Sequence, residues 1–202
     1  MKPASVPKPK ARRGRPPGET AVSHAAILDA VYELLQETSA RDLTMDAVAR
    51  RAKVGRPTLY KWWPTKAALV FAVFHERLAR GPQTPTTATA EEAIRINVRA
   101  LIRAFNGLFG KVMADLVAEG QSEPEVLKEL YDQHIKERRD ASVARVEAAK
   151  LTGELDPDID AGVLVDSIVG PIYFRLLLRY APLTESFGDQ LVDQVLKGAR
   201  RR

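Results

Sequence analysis

Three groups of residues in this 202-residue chain are capable of chemistry. They are the histidines His24, His75 and His134, an acidic run at 156–160, and the run Arg56-Pro57-Thr58-Leu59-Tyr60-Lys61. The histidines stand far apart, there is no cysteine to join them, and neither H-x-x-x-H nor HExxH spacing occurs. Structural or exposed histidines are therefore expected, not a zinc site. Asp156-Pro157-Asp158-Ile159-Asp160 is similar to the first half of a calcium loop. It fails at the sixth position, Ala161 instead of Gly, and at the twelfth, Ser167 instead of Glu. These acids are expected to cap a helix and offset its dipole. No Gly-rich phosphate loop or G-x-S-x-G elbow is present, so no enzyme, metal or cofactor is expected. The third group suits nucleic acid. Arginine forks read guanine edges, while hydroxyls and amines hold phosphates.

The elements that would position this group lie in LTMDAVARRAKVGRPTLYKWWPTK, residues 43–66. A first helix is expected from about Thr44 to Ala52. Thr44 serves as N-cap, and Leu43, Ala47 and Val48 form the inner side. Lys53-Val54-Gly55 breaks the pattern. Val54 plugs the core, and Gly55 permits the reversal and caps the next helix. Arg56-Pro57 opens a second helix, where the missing proline N–H costs little. Leu59 and one tryptophan face inward. Arg56, Pro57, Thr58, Tyr60 and Lys61 remain on the outer, N-terminal side, as in a recognition helix entering a DNA groove.

The run Val54 to Lys66 resembles the signature of the tetracycline-repressor family of transcriptional regulators. Its marks are an apolar residue in the turn, Thr-Leu-Tyr in the recognition helix, an aromatic pair, and a lysine soon after. The family often has glycine at about Ser39 and at Lys53, and this chain has neither.

The net charge of +5 is unevenly placed. Residues 1–80 hold 15 Lys and Arg against 7 Asp and Glu, and the remainder holds 16 against 19. A basic first part and a mildly acidic second imply that only the first meets a polyanion. Residues 1–19 are proline-rich and are expected to be a flexible basic arm. Arg12-Arg13-Gly14-Arg15-Pro16 is similar to an AT-hook, which would place Arg12, Arg13 and Arg15 in an A·T minor groove. The plainer reading is nonspecific phosphate attraction. The N-terminus lacks the apolar stretch of a secretory signal. No apolar run of ~18 residues is expected to span a membrane.

Residues 20–80 are expected to form the DNA-binding domain. Its first helix has Ser23 as N-cap and Ile27, Leu28, Val31, Leu34 and Leu35 as the inner stripe, with His24 exposed. Thr65 starts a fourth helix that carries Leu69, Val70, Val73, Phe74 and Leu78 to about Arg80. The linker GPQTPTTATAEE leads to residues 81–202. There, helices are expected at 91–105, at about 108–118, as one long helix from Pro124 to Leu151, within 158–180, and at 185–199. Gly107 and Gly110 mark a break or a close approach. The segment 158–180 is apolar on more than one side. Two recognition helices must sit ~34 Å apart to read a palindrome. Segments 158–180 and 185–199 are therefore expected to pair in a homodimer.

The resemblance implies an all-α protein: a three-helix helix-turn-helix domain followed by a helical domain for ligand binding and dimerisation. It implies a homodimeric, ligand-responsive repressor of a double-stranded DNA operator in the bacterial cytoplasm, nucleoid-associated and free of membrane. Thr44, Tyr60, Trp62 and Lys66 are assigned to phosphates. Arg56, Pro57, Thr58 and Lys61 are assigned to base edges. A pocket between helices for a small-molecule effector is expected to draw on Phe105, Phe109, Met113, Tyr131, His134, Ile168, Ile172 and Tyr173. Arg175 and Asp166, in an apolar helix, would anchor a polar ligand group or pair at an interface. Two rivals stand beside this reading: a nonspecific architectural DNA-binding protein, and a helical enzyme or carrier with an incidental basic head.

Overall fold

The computed structural model describes residues 17–78 and 88–199, and among them the regular structure is helical, with no strand. The head comprises α1 (Pro17–Glu37), α2 (Met45–Arg51), α3 (Arg56–Trp62) and α4 (Lys66–Val73). The second part comprises α5 (Ala90–Phe105), α6 (Leu108–Gly120), α7 (Pro124–Leu130), α8 (Lys136–Leu151), α9 (Ala161–Leu178) and α10 (Glu185–Ala199). The expected all-helical class, with a helix-turn-helix head and a helical second domain, is what the chain adopts. The AT-hook-like run and most of the linker lie outside the described residues.

The stripe Ile27, Leu28, Val31, Leu34 and Leu35 is buried as expected, against Leu43, Val48, Leu59, Trp63 and Leu69. The start of α1 differs from expectation. It begins at Pro17, so Ser23 sits inside the helix and residues 17–19 are not part of an extended arm. Proline is compatible with a helix's first turn, where its absent N–H would have no intrahelical partner.

Helix α4 starts where expected, with the Thr65 hydroxyl accepting from Ala68 N at 3.0 Å. It does not continue as one α-helix. A π-helical turn occupies Phe74–Leu78. Leu69, Val70, Phe71, Val73 and Phe74 are all buried, because α4 is enclosed by the head and the second domain together. The long helix expected from Pro124 to Leu151 is likewise interrupted, by a π turn at Tyr131–Ile135. Such turns concentrate at functional sites.

In the second domain Thr89 and Glu92 form a reciprocal capping box on α5. Helix α10 packs closely on α5. A Cβ at Gly188 would lie 2.6 Å from Ile102 Cδ1. Arg99 grips Asp189 through two bonds of 2.9 and 2.8 Å, and Arg95 reaches Asp193 at 2.6 Å. Gly110 confirms the close approach expected at the α5–α6 corner. A Cβ there would meet Phe105 O at 1.9 Å.

Asp160 caps α9 by accepting from Val163 N at 2.8 Å, and Asp156 accepts from Asp158 N at 2.9 Å. The acids of 156–160 thus serve the helix start. One expectation is corrected here. Helix α9 is 18 residues with mean hydropathy 1.6, long and apolar enough to cross a membrane by length and composition. In this fold one face of it packs into the core and another stays exposed. Leu164, Val165, Ile168, Ile172 and Leu176 are buried, and Asp166 accepts two bonds from Arg139 at 2.9 and 2.8 Å.

Candidate nucleic-acid interface and effector domain

The turn between α2 and α3 is built from its backbone upward. Thr44 Oγ1 accepts from Ala47 N at 3.2 Å and starts α2, which leaves its hydroxyl proton free to donate outward. At the other end Val54 N donates to Ala49 O at 3.0 Å, and Lys53 N donates to Arg50 O at 3.3 Å. That pair of bonds is the Schellman closure, with Lys53 left-handed at φ 54°. The reversal therefore rests on Lys53. Gly55 is the N-cap of α3 in ordinary extended geometry, φ −75°. Val54 packs against the core as the apolar partner of the closure. Helix α8 ends on the same two bonds, with Gly153 at φ 77° in the equivalent place.

Helix α3 presents the residues assigned to DNA. Leu59 is buried, and of the two tryptophans Trp63 is the inner one. Pro57, Tyr60, Lys61 and Trp62 are exposed and Thr58 is half-buried. The Lys61 ammonium lies 5.7 Å from the Trp62 ring centroid. Arg56 is exposed but not free. Its guanidinium makes a two-pronged ion pair with Asp46, in the first turn of α2. The Asp46 carboxylate raises the Arg56 pKa, first through the hydrogen bonds and then by charge. His24, expected to be exposed, is half-buried. It packs 5.5 Å from the Trp62 ring and 4.8 Å from the Trp63 ring. Arg12, Arg13 and Arg15 lie outside the described residues.

Lys66 faces inward, toward the second domain. Its ammonium lies 3.0 Å from Glu119 Oε1 and donates to Arg41 O at 3.1 Å. Three further bonds join α6 to the head. Asp115 Oδ2 accepts from Ala40 N at 2.9 Å, and Lys111 Nζ donates to Leu35 O and Thr38 O at 3.1 and 2.9 Å. One face of α6 thus holds the end of α1, the α1–α2 connection and the start of α4. Sequence spacing gave no sign of Asp46, Lys111, Asp115 or Glu119, because their partners lie on other helices.

The residues expected to form an effector pocket fall into two sets. Phe105 and Phe109 stack at 5.6 Å, Tyr173 meets Phe105 edge-on at 5.0 Å, and Phe74 joins Phe109 at 4.6 Å. Met113, Ile168 and Ile172 are buried in the same core. His134 is on the other side of Phe74, with ring centroids 5.4 Å apart and Phe71 at 4.9 Å. Its Nε2 is buried without a partner, and burial pushes its pKa down to about 4. Burial likewise pushes the Tyr173 phenol up to about 12. Tyr131 points outward and is 41% exposed, so it does not join the others. A cleft of about 390 Å³ opens beside His134, between α4 and the second π turn, with Trp63 and His75 in its wall. A second, of about 370 Å³, lies at the α5–α6 corner against the α9–α10 connection.

A closed three-helix head with an outward basic and aromatic helix, clasped to a larger helical domain, defines a two-domain helix-turn-helix regulator. Known proteins narrow the class. Residues 27–73 match the family described as bacterial regulatory proteins, tetR family, and residues 84–195 match the tetracyclin repressor-like C-terminal domain. The HTH-type transcriptional regulator YdeS of Bacillus subtilis is 32% identical over 191 residues, 95% of this chain and 96% of that protein. The crystal structure of the TetR family transcription regulator SCO0332 superposes with a TM-score of 0.70 at 31% identity, covering 87% of this chain and 97% of that one. The flavonoid-responsive regulator FrrA shares the fold, with a TM-score of 0.66 at 20% identity over 90% of this chain and 99% of that one. The chain belongs to the tetracycline-repressor family of transcriptional regulators.

Proposed function

We propose that this regulator is a repressor that binds a palindromic operator as a homodimer and is released by a small-molecule inducer. The observation that carries the reading is the clasp of α6 on the head. Lys111, Asp115 and Glu119 together hold three parts of the DNA-binding domain, so a shift of α6 is passed to α3. An inducer that binds the shifted state more tightly draws the population away from DNA.

On operator DNA, Arg56 and Thr58 read base edges, with Pro57 and Lys61 beside them, while Thr44, Tyr60 and Trp62 meet phosphates. Arg56 exchanges Asp46 for guanine as it enters the groove. Lys66 belongs to the clasp and reaches phosphate only when Glu119 releases it. Arg12, Arg13 and Arg15 add minor-groove or phosphate contacts. The inducer lies among Phe105, Phe109, Met113, Ile168, Ile172 and Tyr173, or in the cleft beside His134, with Tyr131 at its outer edge. Dimerisation uses α9 and α10. Support for this comes from an apolar face of α9 that none of the described residues covers, with Val163 63%, Phe174 54% and Leu178 59% exposed. Its site of action is the bacterial nucleoid, in the cytoplasm.

Sedimentation of wild type and a Phe174→Glu, Leu178→Glu double variant tests the dimer, alongside DNA binding by both. The expected result is a wild-type dimer and a folded monomeric variant that no longer binds a two-half-site duplex cooperatively. A wild-type monomer with full cooperative binding would overturn the assembly.

A further inference from the structure

The 370 Å³ cleft at the α5–α6 corner differs in character from the cleft beside His134. Lys111, Arg175 and Arg179 line it, and among the described residues no carboxylate does. Among the described residues none of these three cations pairs with an acid. Lys111 is held by backbone carbonyls, and the nearby Glu185 is taken by Arg103 at 2.9 Å. Arg175 is held in place by its stack on Phe187, with Cζ 3.4 Å from the ring centroid, and by a 2.9 Å bond from Nη1 to Pro182 O. Its Nε is buried and has no partner, a donor left without an acceptor. Arg179 closes α9 in the left-handed region, at φ 51°, a conformation an arginine adopts only at a cost. Helix α6 also begins in this cleft, at Gly107, with no side chain capping its N-terminus. Phe105, Leu176 and Pro182 supply an apolar wall.

From these features we infer that the cleft is a binding site for a small organic acid. The carboxylate sits between Arg175 and Arg179 near the start of α6, and its hydrocarbon or aromatic part lies on Phe105 and Leu176. Charge-assisted bonds to a guanidinium are the stronger kind and favour a planar carboxylate. Lys111 couples the site to the head. Its side chain lines the cleft while its ammonium donates to the carbonyls of Leu35 and Thr38, so a bound anion that draws the ammonium into the cleft takes it from the end of α1. Both tryptophans of the chain, Trp62 and Trp63, lie in the head, but Trp63 also walls the cleft beside His134, so an emission change is assigned to the corner cleft only where Arg179→Gln abolishes it. The binding part stands independently of the repressor reading. Only a consequence for DNA affinity would rest on it.

The test is calorimetry on the full chain with hexanoate and benzoate, against their uncharged amides, inorganic phosphate and a random-sequence DNA duplex. Tryptophan emission is followed with hexanoate and hexanamide. The acids are expected to bind at one site per chain, with the amides weaker by roughly tenfold or more. Arg179→Gln and Arg175→Gln should each weaken the acids by a similar factor and leave the amides unchanged. Arg179 is exposed, so its variant keeps the fold, which the unliganded melting temperature checks. Hexanoate, and not hexanamide, should move the tryptophan emission. Equal binding of acids and amides, unchanged binding in both variants, or loss of acid binding whenever the duplex is present would overturn the site. The last result would assign the cleft to DNA phosphates. Binding without any change in emission would overturn the coupling through Lys111.

Discussion

Replacing Lys53 with glycine should stabilise the protein and weaken its grip on DNA at the same time. Lys53 holds the C′ position of a Schellman closure at φ 54°, with both closing bonds formed. A side chain in this left-handed region costs ~1–2 kcal/mol, and glycine avoids that cost. Glycine's extra freedom in the unfolded chain takes back ~0.5–1 kcal/mol. The net expectation is a gain of ~0.5–1 kcal/mol, or about 1–4 °C in Tm for a chain of this length. Lys53 is also exposed beside the recognition helix. We propose that its ammonium meets a DNA phosphate, and removing one such contact should reduce the slope of log K against log salt by about 0.9. Gly153→Ala supplies the control, since Gly153 holds the same position in α8 at φ 77°. It should lose ~1 kcal/mol. Urea denaturation gives the stabilities, and fluorescence anisotropy at several salt concentrations gives the slope. A Lys53→Gly protein less stable than wild type would refute the left-handed assignment. An unchanged salt slope would remove Lys53 from the DNA surface.

Three other substitutions test other parts of the account. Gly110→Ala drives a Cβ into Phe105 O and should cost ~2–4 kcal/mol by denaturation, because backbone must shift. The folded pKa of His134, about 4, lies below the ordinary 6.5. As pH falls the unfolded chain therefore takes up this proton first. Its contribution to stability is complete above 6.5 and is lost progressively toward 4. Urea midpoints across that range should fall in wild type and fall less steeply in His134→Phe, which also removes the unpaired Nε2. Arg56→Ala should lower affinity for the best DNA site by roughly ten- to hundredfold and relax preference at one base pair, read by competition against single-base variants.

Helix limits were legible where a local residue sets them. Thr44, Gly55 and Thr65 each cap the helix that their side chain or backbone freedom implied, and α10 ends where its pattern does. Gly107 and Gly110 announced the α5–α6 corner, and at Gly110 the close approach leaves no room for a Cβ. The misses have nonlocal or nonstandard causes. A lysine carries the turn where glycine is usual, so the reversal was credited to Gly55. The π turns at 74–78 and 131–135 leave apolar spacing nearly helical and so pass unseen. The start of α1 at Pro17 was hidden by a preference for serine as N-cap. On the candidate interface, composition identified which side chains of α3 face out. It could not show that Arg56 holds Asp46 or that Lys66 holds Glu119, because those partners are set by the packing of separate helices. Tyr131 points outward at the start of the second π turn, a placement that composition alone did not give.

The central claim is that α3 reads sequence as one of a pair. Selection of binding sites from random duplexes by the full-length protein, followed by footprinting on the winner, tests it most directly. The account predicts enrichment of an inverted repeat whose half-site centres lie about one helical turn, ~34 Å, or a multiple of it, apart, with both halves protected. Enrichment of no sequence, with protection spread evenly along the DNA, would contradict it.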